Sequence, residues 1–394
     1  MLGFMFKWFL AGAVAGVVIA TGIARVGSDP GIEVRAGGAG GAGMGLPPEA
    51  PGEAGRIVWA EAGDIWLYES ATGKRRQLTD GDGRSEYLPR FHGPDRVTFV
   101  AADDRPANDF RPGAGTHGSV IHELDLTTGR RSELVRLAGG VVAHDWTPDG
   151  RTLALYVAGD DHTSSELHVF TGGHPRLIRR FGPVRGRGGF INYDEWRVEW
   201  SPDGRRLLVV DTGLDTSEPE DTFFVLDTDG TDVMAPRGGT WARWGADSQT
   251  VYCICAVRPG DDNWVWLSLH TGTGVGTPLL LERAMRPSVS PDGRFLAFDD
   301  GQDTPTVHVL ELRPGSRPRR VTGGAIAPLW LDGGRLAVTD TRPCPDTPDE
   351  CMAGGHGSMF HSAGTASAVD VTSGDRAPIP PLDTDDADVA YPSG

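Results

Sequence analysis

The stretch Trp200-Ser201-Pro202-Asp203-Gly204 decides the fold, because it returns along the chain in altered copies. It stands as Trp146-Thr147-Pro148-Asp149-Gly150 and as Val289-Ser290-Pro291-Asp292-Gly293, with worn copies at 91–95, 244–248 and 330–334. The chain stops on one more fragment, Tyr391-Pro392-Ser393-Gly394. Proline sets φ for the second position of a type I turn, aspartate suits the third, and glycine takes the left-handed position after it. The phrase is therefore a hairpin turn wherever strands flank it. Before Gly204 runs Trp196-Arg197-Val198-Glu199-Trp200, alternating apolar and polar; after it comes the nearly continuous apolar run Arg206-Leu207-Leu208-Val209-Val210. The first pattern reads as a half-buried strand and the second as a fully buried one. A third strand is expected over 222–226, then a Thr-Asp-Gly turn toward a weaker edge strand. Four antiparallel strands per unit, with copies roughly 41 to 60 residues apart, is the layout of a β-propeller blade.

The same rhythm recurs around each of the other five copies, giving six units with a first strand of their own. The ends supply the seventh. Residues 56–60, 64–68 and 74–78 read as the second, third and fourth strands of a blade without a first, and 388–391 read as a first strand with nothing after it. Pairing the two fragments closes a ring and removes the open sheet edges that invite aggregation. The expectation is an all-β fold, a seven-bladed β-propeller with six blades as the alternative, closed by its N- and C-terminal strands and preceded by an N-terminal hydrophobic helix. The boundaries are 1–25 for that helix, 26–54 for a linker and 55–394 for the propeller.

Fifty-six Gly, 29 Pro and 11 Trp suit many tight turns with aromatic anchors. A formal charge of −17 argues against a nucleic-acid partner, whose phosphates need a basic footprint. Lys7 precedes an apolar run over 8–24 of about 17 residues, the lower limit for crossing a bilayer. An uncleaved signal anchor is preferred to a cleaved signal peptide ending at Gly22-Ile23-Ala24. Residues 37–55 are Gly/Ala/Pro-rich and read as a tether. The expected location is the cell membrane, single-pass, with the propeller outside the cytoplasm, or secreted if the helix is removed. Cys344 and Cys351 form a disulfide candidate, while Cys253 and Cys255, alternate residues on a core strand, read as buried free thiols. A metal site from Cys344, Cys351, His356 and His361 is the weaker reading, since the spacing matches no zinc signature.

In this register the long insertions fall at second-to-third loops and blade-to-blade links, which share one face, and loops on a rigid scaffold are the usual carriers of function. The candidate binding residues on that face are Asp103, Asp104, Asp160, Asp161, Arg185, Arg187, Asp211 and Asp215. Glu218, Glu220, Asp221, Asp299 and Asp300 complete its acids, and Arg179, Arg180, Arg185 and Arg187 form a basic island. Converging carboxylates suit a divalent cation such as calcium, although as solvated loop acids they need none and no cofactor is required. Asp227-Thr228-Asp229-Gly230-Thr231-Asp232 resembles the start of a calcium loop but lacks its closing glutamate and reads as turn chemistry. No nucleophile elbow, phosphate loop or dinucleotide fingerprint occurs, so no catalytic residue is assigned.

The copies at 146–155, 200–210 and 289–298, with Asp64-Ile65-Trp66-Leu67-Tyr68 and Thr72-Gly73-Lys74-Arg75-Arg76-Gln77-Leu78-Thr79, resemble the repeat of the TolB-type propellers. The resemblance covers roughly 55–394. The same repeat builds the propeller half of prolyl-oligopeptidase-like enzymes and of some pectate-degrading lyases. The sequence ends where the hydrolase domain of those peptidases would begin, and a membrane segment is expected where TolB carries an α/β domain. The resemblance implies a propeller outside the cytoplasmic membrane that binds or scaffolds a protein or cell-envelope component. The alternative is a propeller enzyme, a carbohydrate lyase or hydrolase, using a metal and the loop-face acids.

Overall fold

A computed structural model describes residues 55–80, 85–102, 119–158, 165–181, 197–211, 222–234, 236–256, 264–280, 284–301, 304–313, 315–343, 360–380 and 388–390. All regular structure among them is β-strand. The helix and linker expected over 1–54 lie outside the described residues.

The first sheet holds β1 (Arg56–Glu61), β2 (Asp64–Glu69) and β3 (Lys74–Gln77). The second runs β4 (Ser85–Phe91), β5 (Arg96–Ala102), β6 (Ser119–Asp125), β7 (Arg131–Leu137), and the third β8 (Gly140–Trp146), β9 (Leu153–Ala158), β10 (Ser165–Phe170), β11 (Arg176–Phe181). The fourth is longer: β12 (Arg197–Trp200), β13 (Arg206–Asp211), β14 (Thr222–Asp227), β15 (Arg237–Trp244), β16 (Thr250–Ala256), β17 (Trp264–His270) and β18 (Val275–Leu280). The fifth is β19 (Met285–Val289), β20 (Phe295–Asp299), β21 (Thr306–Glu311), β22 (Arg319–Gly323), and the sixth β23 (Ala325–Trp330), β24 (Arg335–Pro343), β25 (Phe360–Asp370), β26 (Arg376–Ile379). Strand β27 (Asp388–Ala390) returns to the first sheet, pairing Ile57 with Val389 and Val58 with Asp388. The expected closure by the two ends of the chain is thus present.

Counted as hydrogen-bonded sheets, the propeller has six blades among the described residues, not the seven expected. The reason lies in β15. The fourth unit makes only an isolated bridge, Leu226 to Asp232, where a fourth strand should stand. The start of β15 fills the gap, pairing Arg237 and Gly238 with Phe223 and Thr222. The same strand then pairs from Gly239 onward with β16 as the first strand of the next unit. Two sequence repeats are fused into one seven-stranded sheet.

Apolar clusters fill the space between neighbouring units. Ile57, Trp59 and Tyr68 pack against Leu331, Ala337 and Ala366, joining the last sheet to the first. Leu208 and Phe223 meet Trp244, Val251 and Cys253 inside the fused sheet. Trp59 and Trp330 are fully buried. An aromatic ring of this size removes on the order of 200 Å² from water, worth about 5 kcal/mol before the entropy of ordering it. Indole N–H groups bind unit to unit as well. Trp200 donates to the carbonyl of Asp145 at 3.2 Å, Trp244 to that of Glu199 at 3.1 Å, and Trp330 to that of Ser288 at 3.0 Å. Each tryptophan reaches back to the innermost strand of the unit before it.

The repeated phrase folds as its residues dictate. The Ser201 hydroxyl donates to Asp203 at 2.6 Å and accepts the Arg206 N–H at 3.0 Å, while the Arg205 N–H reaches Asp203 at 3.1 Å. Thr147 with Asp149, and Ser290 with Asp292, repeat the pattern. The turns also touch one another around the ring. Gly204 and Gly293 are left-handed, at φ 68° and 69°. A Cβ on Gly204 would sit 3.5 Å or more from Pro148 and Thr147, but one on Gly293 would come within 2.2 Å of the Ala246 Cβ. Gly204→Ala should therefore cost only the left-handed strain, on the order of 1 kcal/mol. Gly293→Ala adds overpacking and should cost roughly 1–3 kcal/mol more, read by urea unfolding of the two variants side by side.

Turn aspartates also tie stability to pH. The Thr147 hydroxyl and the Arg151 N–H hold the Asp149 carboxyl below its ordinary range; Thr231 does so for Asp229, and the Ser373 N–H for Asp370. A carboxyl whose folded pKa is depressed stabilises the fold above its unfolded value, near 3.9, and loses that contribution as pH falls through the folded value. Resistance to urea should fall between pH 5 and pH 2.5, and a variant carrying Asp149→Asn, Asp229→Asn and Asp370→Asn should lose less over the same interval.

Candidate binding site

Seven of the eight expected loop-face residues, Asp103, Asp104, Asp160, Asp161, Arg185, Arg187 and Asp215, lie outside the described residues, as does the side chain of Asp211, whose backbone closes β13. Cys344 and Cys351 also lie outside them. Three other expectations are corrected. Arg179 and Arg180 are not loop residues: they stand in β11, paired with Asp232 at 2.7 Å and Glu166 at 2.8 Å. Asp299 is not a rim acid but is fully buried at the end of β20. Cys253 and Cys255 are not free thiols; alternate residues share a strand face, and the two are disulfide-linked across a Cα separation of 5.6 Å. The turn reading of Asp227 to Asp232 holds, with the Gly230 N–H donating to the Asp227 carbonyl at 2.9 Å.

The structure draws attention instead to the axis. The first strands of the units, β4, β8, β12, β15, β19, β23 and β27, are innermost, and neighbours among them touch, as β4 touches β8 and β8 touches β12. Most carry a bulge near their middle, in β4 between Tyr87 and Arg90, in β15 between Thr240 and Arg243, in β19 between Met285 and Ser288, and in β23 between Ile326 and Leu329. Leu88, Trp241, Arg286 and Ala327 sit there at φ 49–55°, strained for residues other than glycine. In three of the four the next residue is proline: Pro89, Pro287 and Pro328. A bulge re-aims the side chains that follow it.

One residue before the first position of the repeated phrase, aromatic in all copies but that at Val289, then defines a tier on the first strands, read in chain order as Arg90, Asp145, Glu199, Arg243, Ser288 and Leu329. Four neighbouring units put charge there and the next two do not. Asp145 serves the scaffold, accepting the Trp200 backbone N–H at 2.7 Å. Glu199 is held in the same manner by the backbone N–H of Trp244, while its Oε2 is closed off from solvent with no hydrogen-bond partner. Burial pushes the Glu199 carboxyl up, against the pull of the Arg243, Arg197 and Arg90 guanidinium groups. On β8, His144 is pushed down to about 3, by burial first and then by Arg90, so its ring is neutral at pH 7. Its Nε2 lies 3.1 Å from the Thr98 hydroxyl.

A second buried charge locks the next seam. Asp299 takes both oxygens to Arg286 Nη1 at 3.2 Å and accepts the backbone N–H of Ala327 and of Gly301, each at 3.1 Å. Burial raises its pKa despite Arg286. Chemically the axial tier can bind and orient an ion, but it holds no nucleophile paired with a base. Among the described residues no group of three or more His, Cys, Asp and Glu side chains is placed to hold a metal. Sequence patterning missed the tier because its side chains differ from copy to copy; the X-Pro pairs upstream were the available signal.

No family model and no curated protein matches the chain. Solved structures do. A prolyl endopeptidase aligns at 14% identity and a TM-score of 0.54 over 87% of this chain and 51% of its own, so the chain spans about half its length. A putative 6-phosphogluconolactonase from Bacteroides fragilis aligns at 12% identity and a TM-score of 0.51, over 88% of this chain and 100% of its own. TolB from Acinetobacter baumannii is among the neighbours, at 14% identity over 72% of this chain and 68% of its own, with a TM-score of 0.46. At these identities the likeness defines the class, a β-propeller, and goes no further.

Replacing Asp299 by alanine would remove the buried carboxylate shared by Arg286 and two backbone N–H groups, and should cost roughly 3–5 kcal/mol of unfolding free energy. Asp299→Asn keeps an acceptor and should cost less; equal losses in chemical denaturation would show that the buried charge, and not the acceptor alone, holds the seam.

Proposed function

We propose that this chain is an extracytoplasmic β-propeller, tethered to the membrane by its N-terminal segment or released from it, that works as a binding scaffold for a protein or cell-envelope component. The observation that carries the reading is topological. In every unit whose first two strands are joined by a phrase turn, the second-to-third connection and the link to the next unit leave from the opposite strand ends. Those latter connections include the long stretches 103–118, 182–196, 212–221 and 344–359. A closed, well-packed ring with its long connections gathered at one end is built to present a surface. The Cys253–Cys255 disulfide supports a location outside the cytoplasm, where such bonds persist. The apolar run over 8–24 and the Gly/Ala/Pro-rich stretch after it support a tether. The TolB-like repeat supports a scaffold reading.

The test uses the full chain in its native membranes. Protease added to intact cells should remove the propeller from the anchor; protection from it would overturn the location. Cross-linking should capture a defined partner, and deletion of 103–118 or 344–359 should abolish capture while leaving the unfolding midpoint unchanged. Capture unaffected by both deletions would remove the loop face from the mechanism. A stoichiometric divalent ion in the purified protein, with no partner captured, would favour the enzyme reading.

A further inference from the structure

The worn copy at 91–95 puts His92 where other copies carry Thr147, Ser201 and Ser290. The backbone keeps the turn: the His92 N–H donates to the Arg96 carbonyl at 2.9 Å, as the Ser201 N–H does to that of Arg206. The side chain departs from it. Ser201 and Ser290 turn inward to the aspartate of their own turn, whereas the buried His92 ring reaches out of its sheet to the next one. Its Nδ1 lies 2.5 Å from Glu123 Oε2 on β6, and its Nε2 lies 2.8 Å from the Gly150 carbonyl in the phrase turn of the third sheet. The ring stacks on Trp146, with centroids 3.8 Å apart and planes 6° from parallel. At this seam the tryptophan lock is indirect. Trp200, Trp244 and Trp330 donate straight to the carbonyl behind them, but Trp146 donates to the Thr98 hydroxyl at 3.0 Å, which passes the bond on to the Arg90 carbonyl at 3.3 Å.

A carboxylate and a carbonyl only accept, so holding both bonds takes an N–H on each ring nitrogen, and an imidazole carries both only when protonated. We propose that His92 is a pH-responsive latch: as imidazolium it closes the phrase-turn end of the seam between the second and third sheets, and on losing a proton it loosens that seam. With one proton left, Glu123 or the Gly150 carbonyl faces a bare lone pair at a buried site. The stack on Trp146 weakens in the same direction, since the cation is gone. Charged groups surround the ring on every side. Glu123 also meets Arg96 of β5 at 3.5 Å. Asp95 stands in the same turn, where Arg56 of β1 donates to the Pro94 carbonyl. The facing turn carries Asp149 and Arg151, 3.7 Å apart, and β8 carries the neutral His144 and Asp145, which is bound to the Trp200 N–H. Bonding across the seam is complete where His92 is protonated and reduced where it is not, so a rise of pH acts here as a fall of pH acts on the turn aspartates. Farther round the ring, the Asp203 N–H donates to Ser248 Oγ at 2.9 Å, a turn-to-turn bond in which nothing titrates. The latch acts whatever the ring binds and does not depend on the scaffold reading.

The experiment follows amide hydrogen exchange of the full chain in detergent at about pH 5.5 and about pH 8.5, on either side of the ordinary histidine value near 6.5. Rates are corrected for the intrinsic pH dependence of exchange. Two turns are compared: 147–152, which His92 holds, and 201–206, which is tied to its neighbour through the Ser248 hydroxyl. Protection over 147–152 should fall roughly fivefold or more as pH rises, while that over 201–206 should move by less than about twofold. In His92→Gln, whose side-chain amide does not titrate, protection over 147–152 should be the same at both pH values. If that variant fails to fold, the comparison of the two turns in the unaltered chain decides. An equal change in both turns, no change in either, or protection over 147–152 that rises with pH overturns the proposal. A fall that persists in folded His92→Gln overturns it as well, because another group would then be titrating.

Discussion

The hydrogen bond from a tryptophan indole to the carbonyl of the preceding unit is the constraint on which the ring depends. A propeller has no single core; it has a succession of seams, and each must be held at one angle. Apolar packing between sheets is non-directional and would tolerate a range of angles. The indole bonds of Trp200, Trp244 and Trp330 do not, because each needs its donor within about 3 Å of one carbonyl on the innermost strand behind it. The residue whose carbonyl is used is the same residue whose side chain forms the axial tier. Register at the seam and chemistry at the axis are thus set by one position in the repeat.

Much of this architecture was legible in the sequence, and for a definite reason. Ser-Pro-Asp-Gly encodes its turn locally, through a hydroxyl, a carboxylate and one left-handed residue, so its copies announce themselves without knowledge of the rest. Even the worn copy at Trp244 keeps the turn: Asp247 accepts the N–H groups of Gln249 and Thr250, and Ser248 takes the left-handed place at φ 57°. Closure was legible because two incomplete patterns at the ends fitted each other. The blade count was not, because whether the fourth unit owns an edge strand depends on the competition between β15 and the segment at Asp232 for the same partner. No local pattern records that.

The site was less legible than the fold. Patterning pointed to loop acids because loops are where polarity accumulates without structural demand. It passed over Arg90, Glu199 and Arg243 because each looked like the polar half of an alternating strand. For Arg90 and Arg243 a bulge with a left-handed residue stands just upstream and breaks that alternation, whereas the described part of β12 carries none. Asp299 was misplaced for the converse reason: at the end of a strand it reads as a rim residue, yet the bulged β19 and β23 bring Arg286 and the Ala327 N–H over it. Acids whose role is to hold a seam resemble acids that meet solvent until their donors are known.

The fused sheet also sets how the ring can breathe. Strand β27 joins β1 through three residue pairs, whereas β1 joins β2 through six. In a circle of seven repeats, the double sector around β15 stands across from that short zipper. The ring therefore has a spine on one side and a clasp on the other. Any change that weakens the pairing of β27 with β1 therefore acts on the closure of the whole circle.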